Sequence, residues 1–327
     1  MPITRLYGWD CGDRMLNVQG VDWWPNCDPS TTQKKTGAYS LQLNVTGWCI
    51  FEIDTSPANP SVSFWTYMDS AFNTNADQQA EFLLDSGKYI TLRWNSTSKT
   101  WDAYVDGALV ASGTVPVSSG SVWFHTQFYV VIAAAGSIGV KIDGRQSINY
   151  SGDTQPGAEA GATRFRWIKT INANTTYMDD LAIGYGGYLG DIRCIDIRPS
   201  ADTAQDDWTP SAGDNYSTID EVVPVDTDYN EVNTDAQADE LALGDFDGVT
   251  YNPVAVTAWV RAQMLAATGD SIKVGVDSGG TDDVTESPLS TTWAYYFHTA
   301  DQNPADAAEW EDADIDALLL RYESVIA

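Results

Sequence analysis

Short runs of alternating apolar and polar residues make up much of the first half of the chain. The fragments "YSLQLNV" from Tyr39 and "KYITLRW" from Lys88 place every second residue on one side of an extended chain, and in the second fragment these are Ile, Leu and Trp. A period of two is typical of half-buried β-strands, and almost no segment has a period of 3.6. The pattern predicts a series of short strands.

Two tight hairpins are indicated within this series. The fragments "AYVDGALVASG" and "GVKIDGRQSINY" turn at Asp106-Gly107 and at Asp143-Gly144. The Asp-Gly pair tolerates the positive φ angles of a type I′ turn, which is the common two-residue connection between antiparallel strands. Consecutive strands are therefore expected to pair with each other.

The second half repeats the strand pattern after a glycine-rich joint, "GYGGYLGD" at 184–191, where the chain is expected to turn sharply. Strands are predicted at "DIRCIDIR" from Asp191, "TAWVRAQML" from Thr257, "SIKVGVDSGG" from Ser271 and "STTWAYYFHT" from Ser290. A turn-rich insertion is predicted at 199–235, one helical turn at 310–317, and a final strand at 318–326.

The predicted fold is all-β, with two antiparallel β-sandwich or jelly-roll domains joined by this Gly-rich linker. The predicted boundaries are an N-terminal arm at 1–35, a first sandwich at 36–188 and an acidic second sandwich at 189–327. A length of 327 residues suits two domains, and 43% hydrophobic residues with 12% aromatics exclude a disordered chain.

Charge is distributed unevenly along the chain. The net charge is −29, and the residues from Asp191 onward hold 29 acids and 5 bases, a net charge of −24. Such a surface repels phosphate, so direct binding to nucleic acid or to an anionic membrane is not expected.

The cysteines and the first residues of the chain indicate the cellular compartment in which the protein folds. The first residues lack the pattern of a signal peptide, and no apolar stretch approaches 18 residues, so we expect synthesis and folding in a cytosol. Cys11, Cys27, Cys49 and Cys194 match neither a zinc spacing nor a CxxC pair. Free, mostly buried thiols are predicted, with a Cys11–Cys27 bridge as the alternative.

Three fragments carry a resemblance over 36–185: "KTGAYSLQL", "WDAYVDGALVASG" and "TYMDDLAIGY". In this order and spacing they resemble the laminin G-like, or concanavalin A-like, jelly roll. The resemblance implies a two-sheet sandwich whose last strand carries the acidic pair Asp179 and Asp180. Proteins of this fold often hold Ca²⁺ or a sugar in loops at one rim.

That fold includes β-glucanases, so the fragment "FEID" is a candidate catalytic strand. Glu52 and Asp54 lie on one side of it, as the nucleophile and acid of those enzymes do. The family motif needs a third acid, but the chain continues Thr55-Ser56-Pro57. We therefore interpret "FEID" as a strand end facing solvent.

Other catalytic arrangements are also poorly supported. The chain has two histidines, His125 and His298, one for each predicted domain, so a histidine-based metal cluster or a Ser-His-Asp arrangement is not easily built. No Walker loop, GxSxG or HExxH motif occurs. The prediction is that the protein is not an enzyme.

Binding residues can be proposed from side-chain chemistry. Asp179 and Asp180 could coordinate a hard cation such as Ca²⁺ if a facing loop supplied oxygens; the alternative is that they satisfy backbone donors beside a turn. Trp23, Trp24 and Trp48 could stack on sugar rings, although tryptophans on strands usually fill the core. No cofactor other than Ca²⁺ is expected.

The second half carries a further resemblance. Its fragments "DWTPSAGDNY" and "GVDSGGTD" are similar to those of a group of virion structural proteins of tailed bacteriophages, in which a laminin G-like domain precedes this module. The resemblance covers most of the chain and implies a particle component of the tail, fibre or head exterior.

The predicted function is that of a non-enzymatic structural component of a tailed-phage virion, made in the host cytoplasm. Its expected partners are other virion proteins and further copies of itself, with Trp9, Trp23 and Trp24 as the assembly contact. The first alternative is a carbohydrate-binding module that attaches the virion to a host surface glycan. A secreted glycan hydrolase of the same fold is the second.

Overall fold

The structure is a computed structural model that describes residues 3–8, 21–23, 27–43, 46–53, 56–68, 78–117, 121–170, 175–245, 252–266 and 268–327. Its internal contacts divide these residues into two compact units. Unit 1 contains the described residues up to Ile195, and unit 2 contains those from Asp196 onward.

Unit 1 is built from antiparallel strands. Their bounds are β1 (Ile3–Tyr7), β2 (Val21–Trp23), β3 (Cys27–Ser30), β4 (Ser40–Leu43), β5 (Gly47–Glu52), β6 (Pro60–Met68), β7 (Gln78–Leu84), β8 (Tyr89–Asn95), β9 (Thr100–Val105), β10 (Ala108–Ser112), β11 (Trp123–Val131), β12 (Gly136–Ile142), β13 (Arg145–Gly152), β14 (Ala162–Lys169) and β15 (Thr176–Tyr185).

These strands form two sheets that face each other. Sheet A has the order β13-β12-β11-β6-β15-β4-β3, with β1 also pairing with β15, and sheet B has the order β10-β9-β8-β7-β14-β5-β2. Phenylalanine rings join the inner faces: Phe64 of sheet A lies 5.7 Å from Phe165 of sheet B, and Phe128 of sheet A lies 4.7 Å from Phe82 of sheet B. The predicted jelly-roll type of sandwich is therefore confirmed for unit 1.

Both predicted hairpin turns are present. Asp106 and Gly107 have φ angles of 46° and 84°, and Asp143 and Gly144 have φ angles of 48° and 75°. Positive φ at both central residues is the requirement of a type I′ turn, which explains the Asp-Gly pair at each position. The turns connect β9 to β10 and β12 to β13.

A disulfide crosses from one sheet to the other. Cys27 on β3 of sheet A is bonded to Cys49 on β5 of sheet B, with 6.8 Å between the Cα atoms. The prediction that these two thiols are free was wrong, because both side chains point into the space between the sheets and are fully buried there. The bond also excludes the alternative bridge from Cys27 to Cys11, a residue that lies outside the described ranges. Cys194 is a free, buried thiol, as predicted.

Unit 2 is a second, smaller β structure. Its elements are β16 (Pro199–Asp206), β17 (Thr209–Pro210), a 3₁₀ turn at Tyr216–Thr218, β18 (Asn230–Glu231), β19 (Ala238–Leu243), β20 (Val256–Ala262), β21 (Ser271–Ser278), β22 (Thr281–Pro288), β23 (Ala294–Ala300), α1 (Asp312–Asp316) and β24 (Leu319–Val325). Within the described ranges no helix has the length and apolarity needed to span a membrane.

Sheet C of unit 2 has the order β16-β19-β24-β21-β22, and the β20-β23 pair packs against it. Leu241, Val274 and Val276 of sheet C share one apolar core with Tyr296 of β23. The prediction of two antiparallel sandwich-like folds in an all-β chain is therefore confirmed.

Two local predictions in this half were wrong. The fragment "DIRCIDIR" at 191–198 is not a strand and pairs with no strand among the described residues. Ile192 and Cys194 are instead buried against other residues of unit 1, to which they belong. The start of the predicted turn-rich insertion is instead β16, which pairs with β19 at the edge of sheet C. The predicted helical turn and final strand are present as α1 and β24.

Candidate functional site

The outer face of sheet B, turned away from sheet A, carries a diagonal line of charged side chains. Alternation along each strand directs Phe51, Phe82 and Phe165 inward, so their neighbours in sequence face outward. The strand registers then place an acid opposite an arginine three times. We call these six residues the polar stripe: Glu52 and Arg164, Glu81 and Arg166, Asp102 and Arg93.

The first two pairs of the polar stripe differ in burial. Glu52 on β5 lies opposite Arg164 on β14, with 3.5 Å between Oε1 and Nη2, and both side chains are well exposed. Glu81 on β7 lies opposite Arg166 on β14, contacts its guanidinium group, and is 3% exposed. Glu81 also accepts a hydrogen bond of 3.3 Å from the hydroxyl of Thr91. Burial lowers the pKa of Arg166.

The third pair leaves polar atoms without partners. Asp102 on β9 lies opposite Arg93 on β8 and is 5% exposed; its Oδ2 accepts a hydrogen bond of 2.7 Å from Asn95. Asp102 Oδ1, Arg93 Nε and Arg166 Nε are buried and have no hydrogen-bond partner in the described structure. The Arg93 guanidinium lies 4.4 Å from the ring centre of Tyr104. Buried polar atoms are nearly always hydrogen-bonded, so water or a small shift of the side chains would complete the bonding of these three atoms.

A cleft lies at one end of the polar stripe. It is open, has a volume of about 470 Å³, and is lined by Glu52, Arg164, Leu83, Asp85 and Thr163, among others. The cleft adjoins the exposed Glu52–Arg164 pair of the polar stripe.

The polar stripe can exchange hydrogen bonds of both kinds with a ligand. Guanidinium groups only donate and carboxylates only accept, and here they occur in adjacent pairs. Hydrogen bonds that involve a charged group are the strong ones. A molecule with several hydroxyl groups could therefore bind at each pair.

The predicted metal residues lie on the opposite face, on β15 of sheet A. Asp179 accepts hydrogen bonds from the backbone nitrogens of Lys35 (2.8 Å) and Thr36 (3.3 Å), and Asp180 accepts one from the backbone nitrogen of Cys194 (2.8 Å). Both carboxylates are fully buried. This is the arrangement of acids that satisfy backbone donors, and the Ca²⁺ role stays a prediction.

Burial sets the protonation of this acidic pair. Burial first, and then the neighbouring Asp180 carboxylate, raise the pKa of Asp179 to about 8. Burial also raises the pKa of Asp180, against hydrogen bonds from Thr36 and Cys194 and the charge of Arg193. Asp180 has a φ angle of 50° at a break in the register of β15, so the strand bulges where the two carboxylates meet.

The glycine-rich joint lies on the outer face of sheet A. We call residues 186–195 the cover segment. Its Gly190 carbonyl accepts a hydrogen bond of 2.7 Å from Ser63, and its Asp191 carboxylate accepts one of 3.0 Å from the Trp65 indole. The backbone nitrogen of Gly190 donates to Gln127 at 2.8 Å. The joint is therefore fastened to unit 1 over most of its length.

The cover segment encloses a Ser-His pair. Ser63 Oγ lies 2.7 Å from His125 Nε2, and both residues are at most 2% exposed. The single Ser63 hydrogen is directed to the Gly190 carbonyl, so His125 Nε2 acts as the donor to Ser63. Burial lowers the pKa of His125 to about 4. A serine held in this way is not activated by the histidine, and the pair supports the cover segment.

Some of the predicted aromatic residues lie outside the described ranges. Trp9 and Trp24 lie outside the described residues, and Trp23 is described only as a backbone position in β2, which pairs with β5 next to Cys49. Trp48 is half-buried and lies on the outward side of β5, two residues along the strand from Ile50 and four from Glu52. Their roles in sugar binding and assembly stay predictions. Asp54 also lies outside the described residues.

An acidic group on sheet C surrounds one arginine. Oxygen atoms of Glu240, Asp277 and Asp282 lie within 4.8 Å of one another. The Arg321 guanidinium contacts Glu240 and lies 3.1 Å from Asp282 and 2.9 Å from Glu323. The group is thus partly neutralised from within the protein.

The fragment "DWTPSAGDNY" is held by buried polar groups. Asp239 accepts hydrogen bonds from the backbone nitrogen of Trp208 (2.9 Å), the Asn215 amide (2.7 Å) and the Tyr322 hydroxyl (2.6 Å). Asp202 accepts the backbone nitrogen of Tyr216 at 2.7 Å. Burial raises the pKa of Asp239. These contacts explain the fragment by its structural role in unit 2.

Comparison with known proteins gives remote similarities of structure only. No protein-family model matches the chain. No curated protein matches it either. Among solved structures, the chain is similar to an endo-β-1,4-glucuronan lyase from the fungus Trichoderma reesei, with 10% identity, a TM-score of 0.44, and coverage of 57% of this chain and 96% of that one.

Two further solved structures are similar at the same level. One is a carbohydrate esterase from the Shiga toxin-encoding bacteriophage phi24B, with 11% identity, a TM-score of 0.40, and coverage of 52% of this chain and 91% of that one. The other is domain 4 of a GH43 extracellular arabinanase from Geobacillus stearothermophilus, with 17% identity, a TM-score of 0.41, and coverage of 58% and 94%. No activity or residue role is transferred from these proteins.

The prediction that the chain is not an enzyme was wrong, because these neighbours are a lyase, an esterase and a domain of a glycosidase. It rested on the missing third acid of "FEID" and on absent motifs. Those observations exclude the mechanism that needs the third acid and the mechanisms that need the absent motifs. They say nothing about other catalytic mechanisms.

Proposed function

We propose that the protein is a component of a tailed-phage particle whose unit 1 binds a glycan on the host surface through the polar stripe. The observation that carries the proposal is the line of opposed arginines and acids on the outer face of sheet B, which ends at the open cleft beside Glu52 and Arg164. Ion pairs that serve only to stabilise a sheet would satisfy one another. Among the described residues, donors and acceptors are left over at Arg93 and Asp102, at the end of the stripe opposite the cleft.

The particle part of the proposal is supported by the resemblance of "DWTPSAGDNY" and "GVDSGGTD" to fragments of phage virion proteins. A particle carries many copies of such a protein, so weak individual contacts to a glycan add up by avidity. The acidic second half favours solubility at a particle exterior.

Retention on immobilised bacterial surface polysaccharides would test glycan binding directly. We expect Arg93→Ala to weaken binding about tenfold or more, since hydrogen bonds to charged groups contribute about 1.5–3 kcal/mol. Arg145→Ala is the matched control, because Arg145 is an exposed arginine on β13 of sheet A. Analysis of the eluted saccharides in the same experiment reports any cleavage.

Equal loss in both variants would indicate a general charge effect and would contradict the assignment to sheet B. Failure of the unaltered protein to bind any polysaccharide of the panel would refute glycan binding itself.

A further inference from the structure

We infer that the glycan bound by the polar stripe is neutral, built of hydroxylated sugars without carboxylate, sulfate or phosphate groups. This inference rests on the proposed function and adds the chemical class of the ligand. Three properties of the stripe carry it: its balance of charge, its mixture of donors and acceptors, and its surroundings.

The first property is charge balance. The stripe holds three guanidinium groups and three carboxylates, each acid directly opposite an arginine on the neighbouring strand. A site for an acidic sugar needs an excess of positive charge where the sugar carboxylate lies. Here every arginine already has an acid beside it, so an anionic group would meet repulsion together with attraction at each position.

The second property is the kind of hydrogen bond left open. Within the part of the chain that the structure describes, Asp102 Oδ1 has no donor, and Arg93 Nε and Arg166 Nε have no acceptor. A carboxylate on the ligand only accepts, so it could satisfy the arginines but never Asp102. A sugar hydroxyl both donates and accepts, so neighbouring hydroxyls match both kinds of atom.

The third property is the surrounding charge. Residues 1–190, which form most of unit 1, hold 17 acids and 12 bases, a net charge of −5, and the cleft at the end of the stripe contains Asp85 besides Glu52. A polyanionic glycan would be repelled as it approached. A neutral glycan has no net charge and is therefore not repelled by these acidic residues.

The stripe also has the extent of a chain of sugars. It crosses the neighbouring strands β5, β14, β7, β8 and β9. Four interstrand steps of about 4.8 Å give an extent of about 19 Å perpendicular to the strands, and the diagonal course makes the stripe itself longer. Several linked sugar rings could therefore lie across the strands.

Chemical carboxyl reduction gives matched ligands for the test. It converts the uronic acids of a polysaccharide to neutral sugars and preserves the linkages. We expect the protein to bind neutral polysaccharides and the reduced forms of acidic ones, and to bind the unreduced acidic forms at least tenfold more weakly. Raising NaCl from 50 to 500 mM should change binding to the neutral forms less than twofold.

A charge-changing variant gives an independent readout with opposite signs for the two classes of ligand. Asp102→Asn removes an acceptor, so binding of a neutral glycan should fall several-fold. If the ligand were acidic, removal of a nearby negative charge would strengthen binding. Asp301→Asn, which removes the same charge from an exposed position in unit 2, is the control and should change nothing.

The outcomes separate the inference from the proposed function. Salt-sensitive binding to acidic forms alone, strengthened by Asp102→Asn, would overturn neutral recognition and leave glycan binding in place. Absence of binding to every form would overturn both.

Discussion

Asp179 and Asp180 show how a single backbone irregularity decides what two side chains do. Regular alternation would send the two carboxylates to opposite faces of β15, but the bulge and the positive φ of Asp180 let both accept donors from the chain. Aspartate tolerates the left-handed region better than most residues. The pair thereby ties residues 35–36 and the cover segment to the last strand of the sandwich.

The raised pKa of Asp179 predicts a pH dependence of stability. Its folded pKa of about 8 lies above the ordinary value of 3.8, so the folded state retains a proton that the unfolded chain has lost. The contribution is therefore favourable below about pH 4 and is lost progressively as the pH rises to about 8, with a slope of at most about 1.4 kcal/mol per pH unit.

Urea unfolding of the intact protein between pH 5 and 9 would measure this effect. We expect the free energy of unfolding to fall with pH more steeply in the unaltered protein than in Asp179→Asn. Other buried acids, such as Asp239, act in the same direction and remain in both proteins, so the difference isolates Asp179. Parallel curves for the two proteins would contradict the raised pKa.

At the scale of elements, the disulfide joins strands that no hydrogen bond connects. Cys27 and Cys49 are separated by 22 residues, and their strands belong to facing sheets. A covalent link of this span restricts the unfolded chain. It also holds β3, at the edge of sheet A, to the opposite sheet.

Removal of this link should lower stability. We expect the Cys27→Ala/Cys49→Ala double variant to lose about 2–4 kcal/mol of unfolding free energy, the usual range for a native disulfide. Thermal unfolding with and without reductant provides the measurement: the unaltered protein should respond to reductant and the double variant should not. Cys194→Ala, which removes the free thiol, should retain the full response.

Local signals predicted the strands and turns of unit 1 well. The inward alternation at Ile90 and Leu92 and the Asp-Gly turns are properties of adjacent residues, and the structure has them as predicted. The failure at "DIRCIDIR" has a physical cause: Ile192 and Cys194 alternate because they are buried on the outer face of a sheet, which demands the same spacing as a strand.

The candidate site could not be predicted from patterns among neighbouring residues in the sequence. Its six residues come from five strands, and pairs such as Glu52 with Arg164 are more than 100 positions apart. Only the order and register of the strands bring them together. Of this surface, the sequence indicated Glu52 through "FEID" and Trp48 as an aromatic, but neither position revealed the arginines.

At the scale of the whole molecule, the two halves of the chain differ in charge. The polar stripe lies in unit 1 and is balanced, while the excess of acids lies in the second half of the chain. Under the proposed function, the balanced polar stripe binds the glycan and the acidic second half favours solubility.

Electron cryo-microscopy of purified particles would locate the protein. For a host-attachment role we expect its density in symmetric copies at the tail or at the fibre tips. Copies confined to the head would instead favour a decoration role, and a particle preparation without the chain would contradict the proposal that it belongs to the virion.

For a protein of a phage particle, the Cys27–Cys49 disulfide determines when during infection the sandwich reaches its full stability. The bacterial cytoplasm keeps thiols reduced, and structural disulfides form in oxidising surroundings. In a phage particle assembled in that cytoplasm, the sandwich would fold and be incorporated with both thiols reduced. The disulfide would form only after lysis of the host cell. Dissolved oxygen outside the cell would accept the two electrons and two protons that the thiols release, so the free particle would gain the stability of the disulfide without any proteolytic step.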